Sequence, residues 1–434
     1  MKKVIYLGVA KSLKDGDNRV AIPPHCIPSL VRATQNNGQN HTRLDVLVER
    51  GGGQKAGYSD KEYTDVGAKI VTLDEMLETA HILVDVKQRP KYGLLRGGVN
   101  MFFAHVEKGQ GPEQLKVFLE AGGVIVYSPE TFEDNGAAKP LRWKSFYFAG
   151  VGGVHLLLEG IRLSYNLRGI KPIPFEFFPQ VEGATPEDIT KAYKKISGLE
   201  KGLKLAVIGG KRGPVSCGSQ EELKRAGLSY DLLYRDITAY PDKLAQELAK
   251  YDGVINATTW NPGDPRIITK RQLSVMKKGA VLADVTCDQD ESSTIDSEGE
   301  PVIGGVRYSY ETNWGDPNAF YWVGPKFHTF NQSNPREFIS GKVHVLYNTI
   351  GMIPGGTSTA RAASDGYFDM IFSCLTEIIQ AIAQGTELPE NGLVVRDGVI
   401  YHEGLREQVR TRNNLAGFRK YLGSMAMVSY QSLH

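Results

Sequence analysis

Two neighbouring segments end their apolar runs on residues that can move a proton. In ILVDVKQRP the run stops at Lys87, and in FFAHVEKGQ it stops at His105. Three polar residues, Glu107, Lys108 and Gln110, follow the histidine within five positions. A lysine that is partly desolvated beside another cation has its pKa drawn towards neutrality, where it serves as acid or base. Histidine needs little tuning for the same work. Arg19, in GDNRVAIPP, follows the first apolar run, and its planar fork suits a carboxylate. Taken singly, each of these is more often a surface charge or a structural histidine. What makes them candidates is their combination with a dinucleotide-binding domain in the same chain.

A second kind of chemistry shows in KLAVIGGKRGPVSCGSQEELKRAGLSYDLLYRD. Residues 205–208 read as a buried strand, and Gly209, Gly210, Gly213 and Gly218 as the turn. Residues 221–226 read as a helix, and 230–234 as the next strand, ending at Asp236. That is the layout of a dinucleotide-binding βαβ unit. Glycines let backbone N–H groups approach a pyrophosphate, and a helix N-terminus supplies partial positive charge. The spacing from Gly210 is GxxGxxxxG, not the strict GxGxxG, and a glycine-rich turn without a ligand is the alternative. Asp236 favours NAD, because a carboxylate repels a 2′-phosphate. Arg235 beside it pulls the other way and leaves NADP open. Two further strand-like runs end at Thr258, Thr259 and Trp260, and at Asp284 and Asp288, where ligands of open α/β sheets collect.

The elements that must position these groups alternate between strand-like and helix-like runs. The expected fold is α/β: two Rossmann-like domains with parallel sheets and an interdomain cleft. The chain has 434 residues, too many for one ordinary core. The first domain is expected to be split, 1–145 with 344–434, and to carry substrate and catalysis; 146–343 is the dinucleotide-binding domain. The return begins with VHVLYN near His344 and continues into the TSTARAASDGYFDMIFSCLTEIIQAIAQ helix.

Composition bounds the partners. Apolar residues make up 41% and charged residues 23%, with a net charge of +2, which gives no electrostatic footprint for nucleic acid or an anionic membrane. No apolar run reads as a membrane span, and the start reads as a strand, not a signal peptide. The four cysteines are far apart and form no CxxC, so no metal is expected and the setting is cytoplasmic.

The segments NRVAIPP, VERGGGQKAGYSDKEYTDVGAKIV, VKQRP and FFAHVEKGQ together resemble the superfamily of alanine dehydrogenase and lysine-forming saccharopine dehydrogenase, which also includes the nucleotide-binding part of transhydrogenase. DVTCDQD is similar to the alanine dehydrogenase segment with a catalytic aspartate, here Asp288. GMIPGG resembles the loop over the nicotinamide and implicates Met352. The tail GLVVRDGVIYHEGLRE looks like alanine dehydrogenase. The HxxKxQ pattern at His105, the INATTWNPGDPRIIT segment and ARAAS with Arg361 look like the saccharopine group instead. GKRGPVSCG has that group's loop spacing, with Ser216 where a glycine usually lies.

The resemblance implies an NAD(P)-dependent oxidoreductase on CH–NH bonds, with Lys87, His105 and Asp288 catalytic. Arg19, Lys108, Gln110 and Arg361 would meet the substrate. The leading expectation is a saccharopine-type condensation of lysine or a similar amino acid with a 2-oxo acid such as 2-oxoglutarate. Alanine dehydrogenase or another opine-type enzyme is the alternative, and a transhydrogenase-like subunit the reading outside enzymes. Partners are small amino acids and oxo acids, with a homo-oligomer left open.

Overall fold

The computed structural model describes residues 3–13, 17–35, 43–107, 111–133, 143–167 and 203–258, parts of 267–285, short strands between 302 and 347, and 356–423. The chain divides into two compact units, Met1–Ser145 with Ala360–His434, and Phe146–Thr359.

The first unit is built on β1 (Val4–Val9), β2 (Arg43–Glu49), β3 (Lys69–Val71), β4 (Ile82–Lys87), β5 (Gly98–Phe103) and β6 (Val124–Tyr127). These six pair in parallel in the order β3-β2-β1-β4-β5-β6. Every residue of β4 and β5 is buried, as expected of strands covered on both faces. The short β3 escapes the sequence reading, because KIV is too brief to show a period.

The second unit contains β7 (Leu205–Ile208), β8 (Asp231–Leu233), β9 (Gly253–Asn256), β10 (Ala280–Asp284), β13 (Tyr321–Val323) and β14 (Val343–Tyr347), all parallel in the order β13-β14-β10-β9-β7-β8. β11 (Val302–Ile303) and β12 (Val306–Arg307) form a separate antiparallel pair. The strand expected to open the return, β14, belongs to this second sheet, beside β10 and β13. The return therefore starts at residue 360, not 344. A short β-branched run reads the same in either sheet, and only its hydrogen-bonding neighbours assign it.

After residue 360 the chain packs the helix Gly356–Gln384 into the first core, with Tyr367, Ile371, Leu375, Ile378 and Ile382 fully buried. By length and composition its stretch Ala360–Gln384 is apolar enough to cross a membrane, which the sequence reading did not expect. Within the unit that apolarity is spent on the core. The chain then adds β15 (Leu393–Arg396) and β16 (Val399–Ile400) to the β6 edge, antiparallel. Asp397 and Gly398, both at positive φ, form the two-residue turn between them.

Candidate active site

In the first sheet the strand order reverses direction between β1 and β4, since β2 and β3 lie on one side and β5 and β6 on the other. Such a switch point opens a crevice at the carboxyl ends of the strands. Lys87 is the last residue of β4, and His105 lies two residues beyond β5. Lys87 Nζ stands 2.7 Å from His105 Nε2. Phe103 underlies both: the Lys87 ammonium is 5.5 Å from its ring centroid and the His105 ring is stacked at 6.0 Å.

His105 is held in place by Glu130, from the Pro129–Thr131 turn after β6. Glu130 Oε2 lies 2.9 Å from His105 Nδ1 and accepts the His105 backbone N–H at 3.3 Å. His105 has a φ of 58°, a left-handed conformation that a non-glycine residue adopts only when its surroundings impose it. An ionised carboxylate only accepts, so the Glu130 contact puts a proton on Nδ1. Nε2 then faces Lys87. At 2.7 Å an ammonium and an imidazolium would present two donors to each other, so the two are not both in their charged forms. The pair can give or take a proton at either member.

Beneath this pair lies Glu107, buried, its Oε1 accepting from Ser128 Oγ at 3.0 Å. Burial, then the Glu130 carboxylate beside it, pushes the Glu107 carboxyl well above the usual range. Glu107 was noticed in the sequence as a polar neighbour of His105. Asp17 and Glu130 were not, because neither lies in a motif.

Arg19 is buried, but its fork holds Asp17: Nε donates to Oδ1 at 2.9 Å and Nη2 to Oδ2 at 2.6 Å. A buried guanidinium needs a counter-charge, and the chain supplies its own. The bidentate edge expected to clamp a substrate carboxylate is thus occupied, and only the Nη1 side remains for one. Arg361 is placed elsewhere. It donates to the carbonyls of Ala56 and Gly57 and lies 4.4 Å over the Tyr58 ring, away from the Lys87–His105 pair. Lys108, Gln110, Asp288, Thr259, Trp260 and Met352 lie outside the described residues.

The second sheet has its own switch point, between β7 and β9. The loop 209–213 leaves β7, and the helix Pro214–Arg225 begins with Gly213 as its N-cap residue. The helix starts earlier than expected. Ser216 and Gly218 are inside it, not in the turn, and both are buried. A Cβ on Gly218 would lie 2.0 Å from the Tyr147 carbonyl oxygen, and one on Gly150 would lie 1.9 Å from that of Val215. These two glycines let the helices Trp143–Leu167 and Pro214–Arg225 touch backbone to backbone. Gly218 is therefore a packing glycine, and the loop that precedes the helix is 209–213. A Cβ on Gly210 would meet nothing within 4 Å, which leaves room for a ligand there. Lys211 and Arg212, exposed in that loop, are cations the sequence reading passed over.

Asp236 does not end the second strand. It is exposed in the first turn of the short helix Arg235–Thr238, three residues past Leu233. Thr258 donates its hydroxyl to Asn256 Oδ1 at 2.8 Å, which braces the loop after β9. Asp284 closes β10 opposite Asn256 in register; its side chain lies outside the described ones.

Two reversed-order parallel sheets, a glycine loop feeding a helix N-terminus and an acid–base pair at a strand end are now in place. Residues 8–143 match the alanine dehydrogenase/PNT N-terminal domain. The chain is similar to the NAD-binding alanine dehydrogenase/PNT-like superfamily, and its first unit carries the match to that family's N-terminal domain. Alanine dehydrogenase 1 of Staphylococcus aureus is 27% identical over 340 residues, covering 72% of this chain and 81% of the relative. A solved L-alanine dehydrogenase superposes with a TM-score of 0.60 at 18% identity, covering 93% of this chain and 98% of that one. A transhydrogenase from Sinorhizobium meliloti gives 0.54 at 16%, covering 92% and 99%. The two superpositions speak for the fold alone. None of these matches singles out the saccharopine branch. As an alanine dehydrogenase/PNT-like protein, the chain is an NAD(P)-dependent dehydrogenase acting on CH–NH bonds.

Proposed function

We propose that the chain is an amino-acid dehydrogenase of the alanine dehydrogenase type, interconverting an α-amino acid with its 2-oxo acid and an amine. The observation that carries this reading is the 2.7 Å contact between Lys87 Nζ and His105 Nε2. NAD(P), when bound, accepts or supplies the hydride. The loop 209–213, with Lys211 and Arg212, and the helix at Pro214 would hold its pyrophosphate. The first unit handles protons. Lys87 in its neutral form takes the proton from the substrate nitrogen as the carbon–nitrogen bond becomes an imine. His105 takes a proton from the water that adds to that imine, and returns it to the departing amine. One shared proton serves these alternating steps, because each transfer leaves the partner ready for the next. Glu130 fixes the imidazole tautomer, and Arg19 Nη1 meets the substrate carboxylate.

The saccharopine-type reaction is the second reading. It is favoured by the HxxKxQ pattern at His105 and by the segment around Trp260 and Arg266. In that reaction the amine is a second amino acid, and the same two proton carriers suffice. The setting proposed for either is cytoplasmic.

The deciding experiment is NADH and NADPH oxidation by the purified protein over a matrix of oxo acids (pyruvate, glyoxylate, 2-oxoglutarate) and amines (ammonia, lysine, ornithine, arginine). Turnover with pyruvate and ammonia supports the first reading. Turnover only with 2-oxoglutarate and lysine moves the assignment to the second. Oxidation with no pair refutes both.

A further inference from the structure

The 3-10 turn Pro24–Cys26 packs beside the first turns of the helix Gly356–Gln384, and three side chains of different chemistry converge there. His25, Cys26 and Asp365 each offer one ligand atom, and these atoms all lie within 4.8 Å of one another. His25 Nε2 is 3.0 Å from Asp365 Oδ1. That oxygen is shielded from solvent, and the nitrogen beside it belongs to a residue type that is itself a common ligand of divalent metals.

The elements are well anchored. Val20 N–H, on the segment leading into the turn, donates to Ser364 Oγ at 3.0 Å, and Ile27, just after the turn, is buried in the core. Cys26 and Asp365 are both partly buried, while His25 remains 58% exposed and can swing. Tetrahedral ligands at ordinary zinc bond lengths stand about 3.5 Å apart, so a small rotation of His25 closes the set. The nearby Arg361 is committed to the Ala56 and Gly57 carbonyls and the Tyr58 face.

We propose that His25, Cys26 and Asp365 form a site for a thiophilic divalent cation of the zinc class, with a fourth position left to water. The donor set of one nitrogen, one sulfur and one oxygen excludes calcium and magnesium, which take oxygen shells, and suits zinc or cobalt. The site does not depend on the function proposed above. It ties the turn after the first strand to the helix by which the chain returns, residues 340 positions apart along the chain (365 − 25). Burial pushes the Cys26 thiol up to about 12, so without metal it is not a reactive nucleophile.

The test uses the full-length protein stripped with chelator and titrated with Co2+, whose thiolate complexes absorb in the near ultraviolet. One equivalent of Co2+ should develop a thiolate charge-transfer band, which Zn2+ then abolishes by displacement. Cys26→Ser should remove the band, and His25→Ala and Asp365→Asn should each weaken binding by tenfold or more. Cys217→Ser should change neither. Zn2+ should also raise the melting temperature of the wild type and not of Cys26→Ser. No band with the wild-type protein, or a band that survives in Cys26→Ser, overturns the proposal. The wild-type titration stands even where a variant fails to fold.

Discussion

Lys87 Nζ stands 2.7 Å from His105 Nε2, and Glu130, 2.9 Å from Nδ1, fixes which nitrogen of the ring faces the lysine. The three residues come from the ends of β4 and β5 and from the turn after β6, three neighbouring strands of one parallel sheet.

Replacing Lys87 with methionine keeps the length and the contact with Phe103 but removes the proton carrier. The expected result is a fall in kcat of about 10²- to 10⁴-fold, the usual contribution of a general acid or base. Circular dichroism should be unchanged. Wild-type turnover in Lys87→Met would refute the proton-transfer role.

Glu107 gives a sharper contrast. Burial first, and then the Glu130 carboxylate, push its carboxyl up and so favour the neutral form, whose shape glutamine has. Glu107→Gln is therefore expected to stay within about 0.5 kcal/mol of wild type in urea unfolding. Glu107→Ala deprives the Ser128 hydroxyl of its acceptor and opens a void, costing about 1–3 kcal/mol. Equal losses in the two variants would mean that Glu107 is ionised.

The two classes of glycine in the second unit separate packing from binding. Gly218→Ala drives a methyl into the Tyr147 carbonyl and should cost at least ~2 kcal/mol of stability. Gly210→Ala meets no atom within 4 Å and should leave the melting temperature nearly unchanged while weakening NADH binding, measured by fluorescence titration. Unaltered binding in Gly210→Ala would move the pyrophosphate off this loop.

His402 caps the helix Glu403–Thr411 by accepting the Leu405 N–H at Nδ1, 3.1 Å away. Burial lowers its pKa from 6.5 in spite of Glu403. A histidine depressed on folding binds its proton more readily when unfolded. Its contribution is complete above pH 6.5 and is lost as the pH falls through the lower folded value. Thermal melts should show lower stability on that descent, and His402→Asn, which still caps when the pH drops, should flatten it.

Much of the site was legible because strand ends show in one dimension. ILVDV and VNMFFA are apolar runs that stop abruptly, and Lys87 and His105 stand at the stops. Glu130 lies 25 residues from His105, in a turn with no motif, and only the pairing of β5 with β6 brings it near. Arg19 was read as a fork for a substrate carboxylate, and the partner its bidentate edge meets is Asp17, which stands two residues away and looks like any loop acid.

The sequence by itself determined the alternation of strands and helices, the placing of Lys87 and His105 at strand ends, and a glycine loop ahead of a helix, because apolar periodicity and turn chemistry are local properties. The tertiary structure decided which sheet takes β14, which glycine serves packing and which leaves space, and which carboxylate orients His105. Those are questions of which distant backbone or charge becomes a neighbour. A residue's partner across a sheet or a helix contact is set by the packing of the whole unit, and no window along the chain contains it.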